Sequence, residues 1–264
     1  MFDSHTHTTF STDSKMSPDD ACMKAVELGL EGIAFTDHLD LDYPGYDNFV
    51  VNFDDYSKTI DEIKNKFKNK LHVIKGIEVG LQPCTNNENL KIVAAYDFDF
   101  VIASVHVIDG MDPYLREYYK GKSKMQSDLR YLDAVLDATA YFKNYDVIGH
   151  IGYVRRYGSY DDNTLRYVDY PDIIDSILKN VISDGKGIEI NTSGLRSNLG
   201  TPIPDFDIIK RFKELGGEII TVGSDAHYIE HLGHSFSYVK EALQEAGFKY
   251  LAHYENRKAI FDKI

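Results

Sequence analysis

The order in which short apolar runs alternate with helical stretches constrains this chain more than any other feature. Segments at Phe2 to His7, Gly32 to Thr36, His72 to Glu78, Phe100 to Val105, Asp146 to Gly149, Gly187 to Asn191 and Glu218 to Gly223 read as about seven strands. Helices are expected between them. One opens at Ser17-Pro18-Asp19-Asp20 and ends at Gly29, one follows Pro204-Asp205 and ends at Gly216-Gly217, and the longest runs from Gln126 to Asn144. Strand then helix at short spacing means parallel strands joined by helical crossovers. A closed barrel and a doubly wound sheet both satisfy that order. With 264 residues and no stretch that reads as a linker, one domain over residues 1–264 is expected. The tail from Tyr250 to Ile264 reads as either a last helix on the sheet or a contact with another subunit.

The histidines are not scattered over this pattern. Of ten, six lie at or just after the C-terminal end of a proposed strand: His5, His7, His38, His106, His150 and His227. In parallel α/β architectures that end is where loops build the active site. His5-Thr6-His7 and Asp225-Ala226-His227 have the period-two spacing that puts both side chains on one face of an extended chain, as two ligands of one metal require. Glu78 closes the apolar run Val73 to Ile77, a position where a carboxylate is costly to bury unless it meets a cation. Together with carboxylates from Asp13, Glu78 and Asp225, the six imidazoles are enough for two or three ions with a carboxylate bridge. His72, at the other end of its strand, and His231, His234 and His253, in later helical or loop segments, read as ordinary surface or core residues.

Composition narrows the partners. The chain has 29 Lys+Arg against 42 Asp+Glu, a formal net charge of -13, which disfavours long nucleic acid but leaves room for a small anion at a local metal charge. Two cysteines, Cys22 and Cys84, are too few for a thiolate site, so any metal is held by nitrogen and oxygen. Zinc, manganese and iron all suit such donors. No apolar run approaches the ~20 residues of a membrane span, and Met1-Phe2-Asp3-Ser4-His5 lacks a signal-peptide pattern. A cytoplasmic protein without membrane contact is expected. Oligomeric state is not legible.

The ordered motifs His5-Thr6-His7, Thr36-Asp37-His38, Gly76-Ile77-Glu78, Ser104-Val105-His106, Gly149-His150 and Ser224-Asp225-Ala226-His227 resemble the PHP (polymerase and histidinol phosphatase) superfamily over nearly the whole chain. Ser104-Val105-His106 followed by Ile108-Asp109-Gly110, and the run Glu189 to Arg196, are similar to its stand-alone histidinol-phosphate phosphatases. The resemblance implies a distorted (β/α)7 barrel with three metals at the C-terminal face. It implies His5, His7, Glu78 and Asp225 around one ion, Asp13, His38 and His227 around a second, and Glu78, His106 and His150 around a third. Some relatives carry histidine at the position of Asp13. Asp37 falls outside these sets and is expected to orient His38.

Such ligands suit hydrolysis of a phosphomonoester, in which a hydroxide held between two ions attacks phosphorus and the cations take up charge. The reaction implied is hydrolysis of L-histidinol phosphate in histidine biosynthesis. Arg196 and Arg156, both on the strand-end side, are candidates for a phosphate clamp, with Arg155 a fallback. Asp225 or His227 is the candidate proton source for the leaving alcohol. The insertion from Asp109 to Tyr119, with Asp112, Glu117 and three tyrosines, is a candidate wall for the amine and imidazole, Glu117 and Tyr118 being the residues singled out. The alternatives are a related phosphoesterase acting on nucleotides or another small ester, and a barrel that binds metal without catalysis.

Overall fold

The computed structural model describes residues 1–45 and 49–264. Its elements run β1 (Phe2–Thr6), α1 (Pro18–Glu27), β2 (Gly32–Phe35), β3 (His38–Leu39), α2 (Phe53–Phe67), β4 (His72–Gly80), α3 (Asn86–Ala95), β5 (Phe100–Ser104), α4 (Lys124–Tyr141), β6 (Val147–Ile148), α5 (Pro171–Ser183), β7 (Gly187–Asn191), α6 (Phe206–Glu214), β8 (Ile220–Gly223), α7 (Phe236–Glu245), β9 (Tyr250–Glu255) and β10 (Lys258–Lys263). Every strand expected from the sequence is present, and β3 is an additional short one. The main sheet is parallel in the order β1-β2-β4-β5-β6-β7-β8, with β3 also on β4. Beyond β8 the chain returns to β1: Asp225 N–H donates to His5 O at 2.8 Å and His7 N–H donates to Ala226 O at 2.9 Å. The sheet therefore nearly closes into a barrel, and the doubly wound alternative falls away.

Helix boundaries follow local chemistry. Ser17 caps α1 through Asp20 N, with Pro18 at the first turn where its missing N–H costs nothing. Ser123 and Gln126 form a reciprocal capping box on α4. The main core packs the outward strand faces, such as Ile33, Phe35, Val101 and Ala103, against buried helix residues such as Ile60, Leu132 and Ile177. Inside the barrel a smaller apolar cluster of Ala34, Ile74, Phe100, Ile102, Val147 and Tyr254 fills the lower half. Along β4 the inward positions change from Ile74 through Gly76 to Glu78, so the interior turns from apolar to polar toward the strands' C-terminal end.

The tail does not form the expected helix; β9 and β10 form an antiparallel hairpin. Asn256 and Arg257 turn it, both at positive φ, as a two-residue hairpin turn of right-handed twist requires. Tyr254 stacks on Phe100 at a ring separation of 5.0 Å, so the hairpin closes the lower end of the barrel. His253, expected in a helix or loop, accordingly lies on β9.

Candidate metal centre

The six strand-end histidines converge at one end of the barrel. Glu78, 1% exposed on β4, stands at their centre. Its Oε2 lies 3.3 Å from His5 Nε2, 3.5 Å from His7 Nε2 and 3.2 Å from His38 Nδ1. Its Oε1 lies 2.8 Å from His150 Nε2 and 3.2 Å from His106 Nε2 and accepts from Ser104 Oγ at 2.7 Å. One carboxylate thus turns a different oxygen to each of two imidazole sets. Asp225 Oδ1 lies 3.5 Å from His7 Nε2 and 3.9 Å from His5 Nε2. Asp13 Oδ2, at the open mouth, is 3.0 Å from His227 Nε2 and 3.7 Å from His38 Nε2. All nine residues read from the sequence as ligands are brought together.

Room for this layer comes from small residues. A Cβ on Gly223 would stand 2.3 Å from His5 Cβ and 2.5 Å from Glu189 Oε1, and one on Gly80 would strike the Asp40 carboxylate. Asp225 itself has φ 54, a conformation few non-glycine residues adopt, and it turns the side chain in toward the imidazoles.

The tautomers are set by residues behind the ring atoms. His5 Nδ1–H donates to Glu189 Oε1 at 2.5 Å, His106 Nδ1–H to Asp40 Oδ1 at 2.9 Å and His7 Nδ1–H to Ser11 Oγ at 3.2 Å. Each leaves an Nε2 lone pair facing the cluster. His5 Nε2 then meets His7 Nε2 at 3.0 Å, and His106 Nε2 meets His150 Nε2 at 3.3 Å. Facing lone pairs repel unless a cation lies between them. Bonds of ~2.0–2.1 Å in a tetrahedral arrangement separate ligand atoms by ~3.3 Å, which is the spacing observed. His150 Nδ1 is also buried with no hydrogen-bond partner among the described residues. Divalent ions fit this donor set.

The electrostatics agree. Burial, with His227 and His38 adjacent, pushes His7 down to about 3, so it stays neutral as a ligand must. Burial would raise Glu78 and Asp225, but His5 and His106 hold Glu78, and Arg156 and His5 hold Asp225, well below the usual carboxylate range. Burial would also depress His5, yet the carboxylates of Glu189 and Glu78 raise it well above the usual imidazole value, so without an ion its Nε2 holds a proton that a bound cation would displace. The cluster's carboxylates demand positive charge.

Other expected residues are placed differently. Asp37 does not orient His38; it accepts from Thr8 N, Thr8 Oγ1 and Ser11 Oγ, and so fixes His7 through Ser11. Its expected place is taken by Asp40, 3.1 Å from His38 Nδ1. Arg156 lines the cavity and donates to Asp225 Oδ2, Ser193 Oγ and Asn191 Oδ1. Arg196 does not line it, and its guanidinium donates to the carbonyls of Ser224 and Asp225. Arg155 is buried against Thr201 and Asp205. Glu117 is exposed and pairs with Lys120, while Tyr118 is buried and donates to Ser127 O, so neither reaches the cavity.

That cavity, of about 240 Å³, opens over the metal ligands and is walled by Tyr43, Phe49, Asp112, Tyr114, Tyr153 and Tyr157. Asp112 is 1% exposed and accepts from the hydroxyls of Tyr43 and Tyr153. Of the expected insertion, Asp112 and Tyr114 do reach the cavity wall, while Asp40, Glu189, Tyr43 and Tyr153 were not anticipated from the sequence. Two had a signal: His38-Leu39-Asp40 repeats the period-two spacing of His5-Thr6-His7, and Glu189 interrupts an apolar strand as Glu78 does.

A PHP domain model matches residues 3–193. The chain is 36% identical over 257 residues to the histidinol-phosphatase of Lactococcus lactis subsp. lactis, covering 97% of this chain and 95% of the relative. It is also 36% identical over 251 residues to a probable histidinol-phosphatase of Clostridium acetobutylicum, covering 93% and 92%. Among solved structures, histidinol phosphate phosphatase from Lactococcus lactis complexed with zinc, L-histidinol and phosphate superposes with a TM-score of 0.93 at 34% identity, covering 98% of each chain.

Proposed function

The chain belongs to the PHP domain family, and on that premise we propose that it is a metal-dependent phosphomonoesterase that hydrolyses L-histidinol phosphate to L-histidinol and inorganic phosphate in histidine biosynthesis. The observation that carries this reading is the split of Glu78 between two imidazole sets directly beneath a cavity of small-ester size. His5, His7, Glu78 and Asp225 would hold one divalent ion, Glu78, His106 and His150 another, and Asp13, His38 and His227 a third. When bound, such ions supply Lewis-acid charge to the phosphoryl oxygens and bring the pKa of water toward neutrality.

The chain's own residues do the rest. Arg156, on the cavity wall, offers a planar guanidinium to the phosphate oxygens, and its Nε is buried without a hydrogen-bond partner among the described residues. Arg196 supports this arrangement indirectly by fixing the backbone that carries Asp225. Asp225 stays ionised against Arg156, and His227 is assigned as a ligand of the third ion with its Nδ1 turned to Asp225 O, so neither is free to protonate the leaving alcohol, which would take its proton from solvent at the open mouth. Asp112, set among aromatic rings, is the carboxylate for the substrate's cationic end. The net charge of -13 disfavours polyanionic substrates, no described helix is long and apolar enough to cross a membrane, and both cysteines are free, in keeping with the cytoplasm.

Asp112→Asn keeps the shape of the pocket and removes its charge. We expect KM for L-histidinol phosphate to rise about tenfold, the scale of one charge-assisted contact, with phenyl phosphate hydrolysis unchanged. Equal losses on both substrates, or none on either, would contradict the assignment.

A further inference from the structure

A second group of metal-ligand type lies at the opposite end of the barrel, and we propose that His72, His253 and Glu255 form a binding site for a transition-metal ion such as zinc, separate from the catalytic centre. His72 opens β4, while Glu78 stands six residues further along the same strand, roughly 20 Å away at ~3.3 Å per residue. His72 Nε2 lies 3.2 Å and His253 Nε2 3.9 Å from Glu255 Oε1, and one ligand atom from each of the three residues falls within 4.8 Å of the others.

The rings are held in place for this role. His253 is 5% exposed, and its Nδ1–H donates to Asp262 Oδ2 at 2.6 Å across the hairpin, which leaves the Nε2 lone pair toward Glu255. A carboxylate behind the imidazole in this way orients a ligand and raises its basicity. Phe2 stacks on His253 at 3.8 Å with the rings 6° apart and meets His72 edge-on at 5.6 Å, so one phenyl ring clamps both imidazoles. Among the described residues neither Glu255 nor Asp262 forms an ion pair with lysine or arginine, and the charged-group partners of both carboxylates are the imidazoles of His72 and His253. Two imidazoles and one carboxylate leave a fourth position for water, and the nitrogen donors favour zinc, nickel, cobalt or copper over magnesium or calcium. The ligands come from β4 and β9, so an ion here ties the hairpin to the floor of the barrel.

The test uses holoenzyme whose catalytic centre is saturated and freed of excess metal, titrated with zinc by calorimetry. Wild type should take up one further equivalent per chain. Glu255→Gln and His72→Ala, both at partly exposed positions, should each weaken that binding tenfold or more with kcat for phosphate release unchanged. In wild type alone, zinc should also slow amide exchange across β9 and β10. Absence of the extra equivalent, or identical uptake in wild type and both variants, would overturn the proposal.

Discussion

At Glu78 a carboxylate that would be costly to bury alone lies within 3.5 Å of five imidazole nitrogens. The sequence exposed it as a lone acid at the end of an apolar run, because a buried strand has few reasons to hold one. Glu78→Ala should lose metal and turnover together. Glu189 lies one layer further back, where its Oε1 fixes His5 and its Oε2 accepts from His150 N–H at 2.8 Å. Glu189→Gln should weaken metal binding by about 10–100-fold while the protein still folds, measured by competition with a chelator dye. Unchanged affinity would remove Glu189 from the account. What the sequence could not show at this scale is which side chains stand behind the ligands. Asp37 and Asp40 flank the same strand end, and only the turn of the backbone decides that Asp40 faces His38 and His106 while Asp37 faces the Thr8 loop.

Strand order and strand ends were legible because each parallel strand is an apolar run stopped by a polar residue. The hairpin was not, because its turn is Asn256-Arg257 without glycine and its outer strand is mostly exposed. Asp99 joins that hairpin to the barrel: its carboxylate accepts from Lys64 Nζ at 2.6 Å, Lys75 N at 3.1 Å and Asn256 N at 3.2 Å. Burial would raise its pKa, but the hydrogen bond from Lys64 and those from the backbone outweigh it and hold it below the usual value. A carboxylate with a depressed folded pKa stabilises above its unfolded pKa, ~3.9, and loses that contribution as pH falls through the folded value. Asp99→Asn should therefore cost about 1–2 kcal/mol at pH 7 in urea unfolding, with the gap from wild type closing below about pH 4. A gap independent of pH would show that the charge plays no part.

At the scale of the molecule, the barrel divides its interior into an apolar floor and a polar upper layer crowded with ionisable groups. Such a layer is stable when cations compensate it. Stripping the metal should lower Tm by about 5–10 °C, the shift that corresponds to ~2.7 kcal/mol at a hundredfold excess over Kd in a chain of this size, and zinc or manganese should restore it. The parallel βα order and the histidines at the strand ends could be anticipated because both recur along the chain, whereas the choice of a barrel rested on the resemblance to the PHP superfamily. The cavity wall was legible only in part: the insertion carrying Asp112 was anticipated, but not Tyr43 and Tyr153, which come from two other loops that only the closed fold brings to it. The most direct measurement is phosphate release from L-histidinol phosphate, beside mononucleotides and aryl phosphates, on protein whose bound metal has been counted. The account predicts turnover that prefers L-histidinol phosphate and rises with metal content to two or three ions per chain. Turnover independent of metal, or a fully metallated protein that prefers a nucleotide, would contradict it.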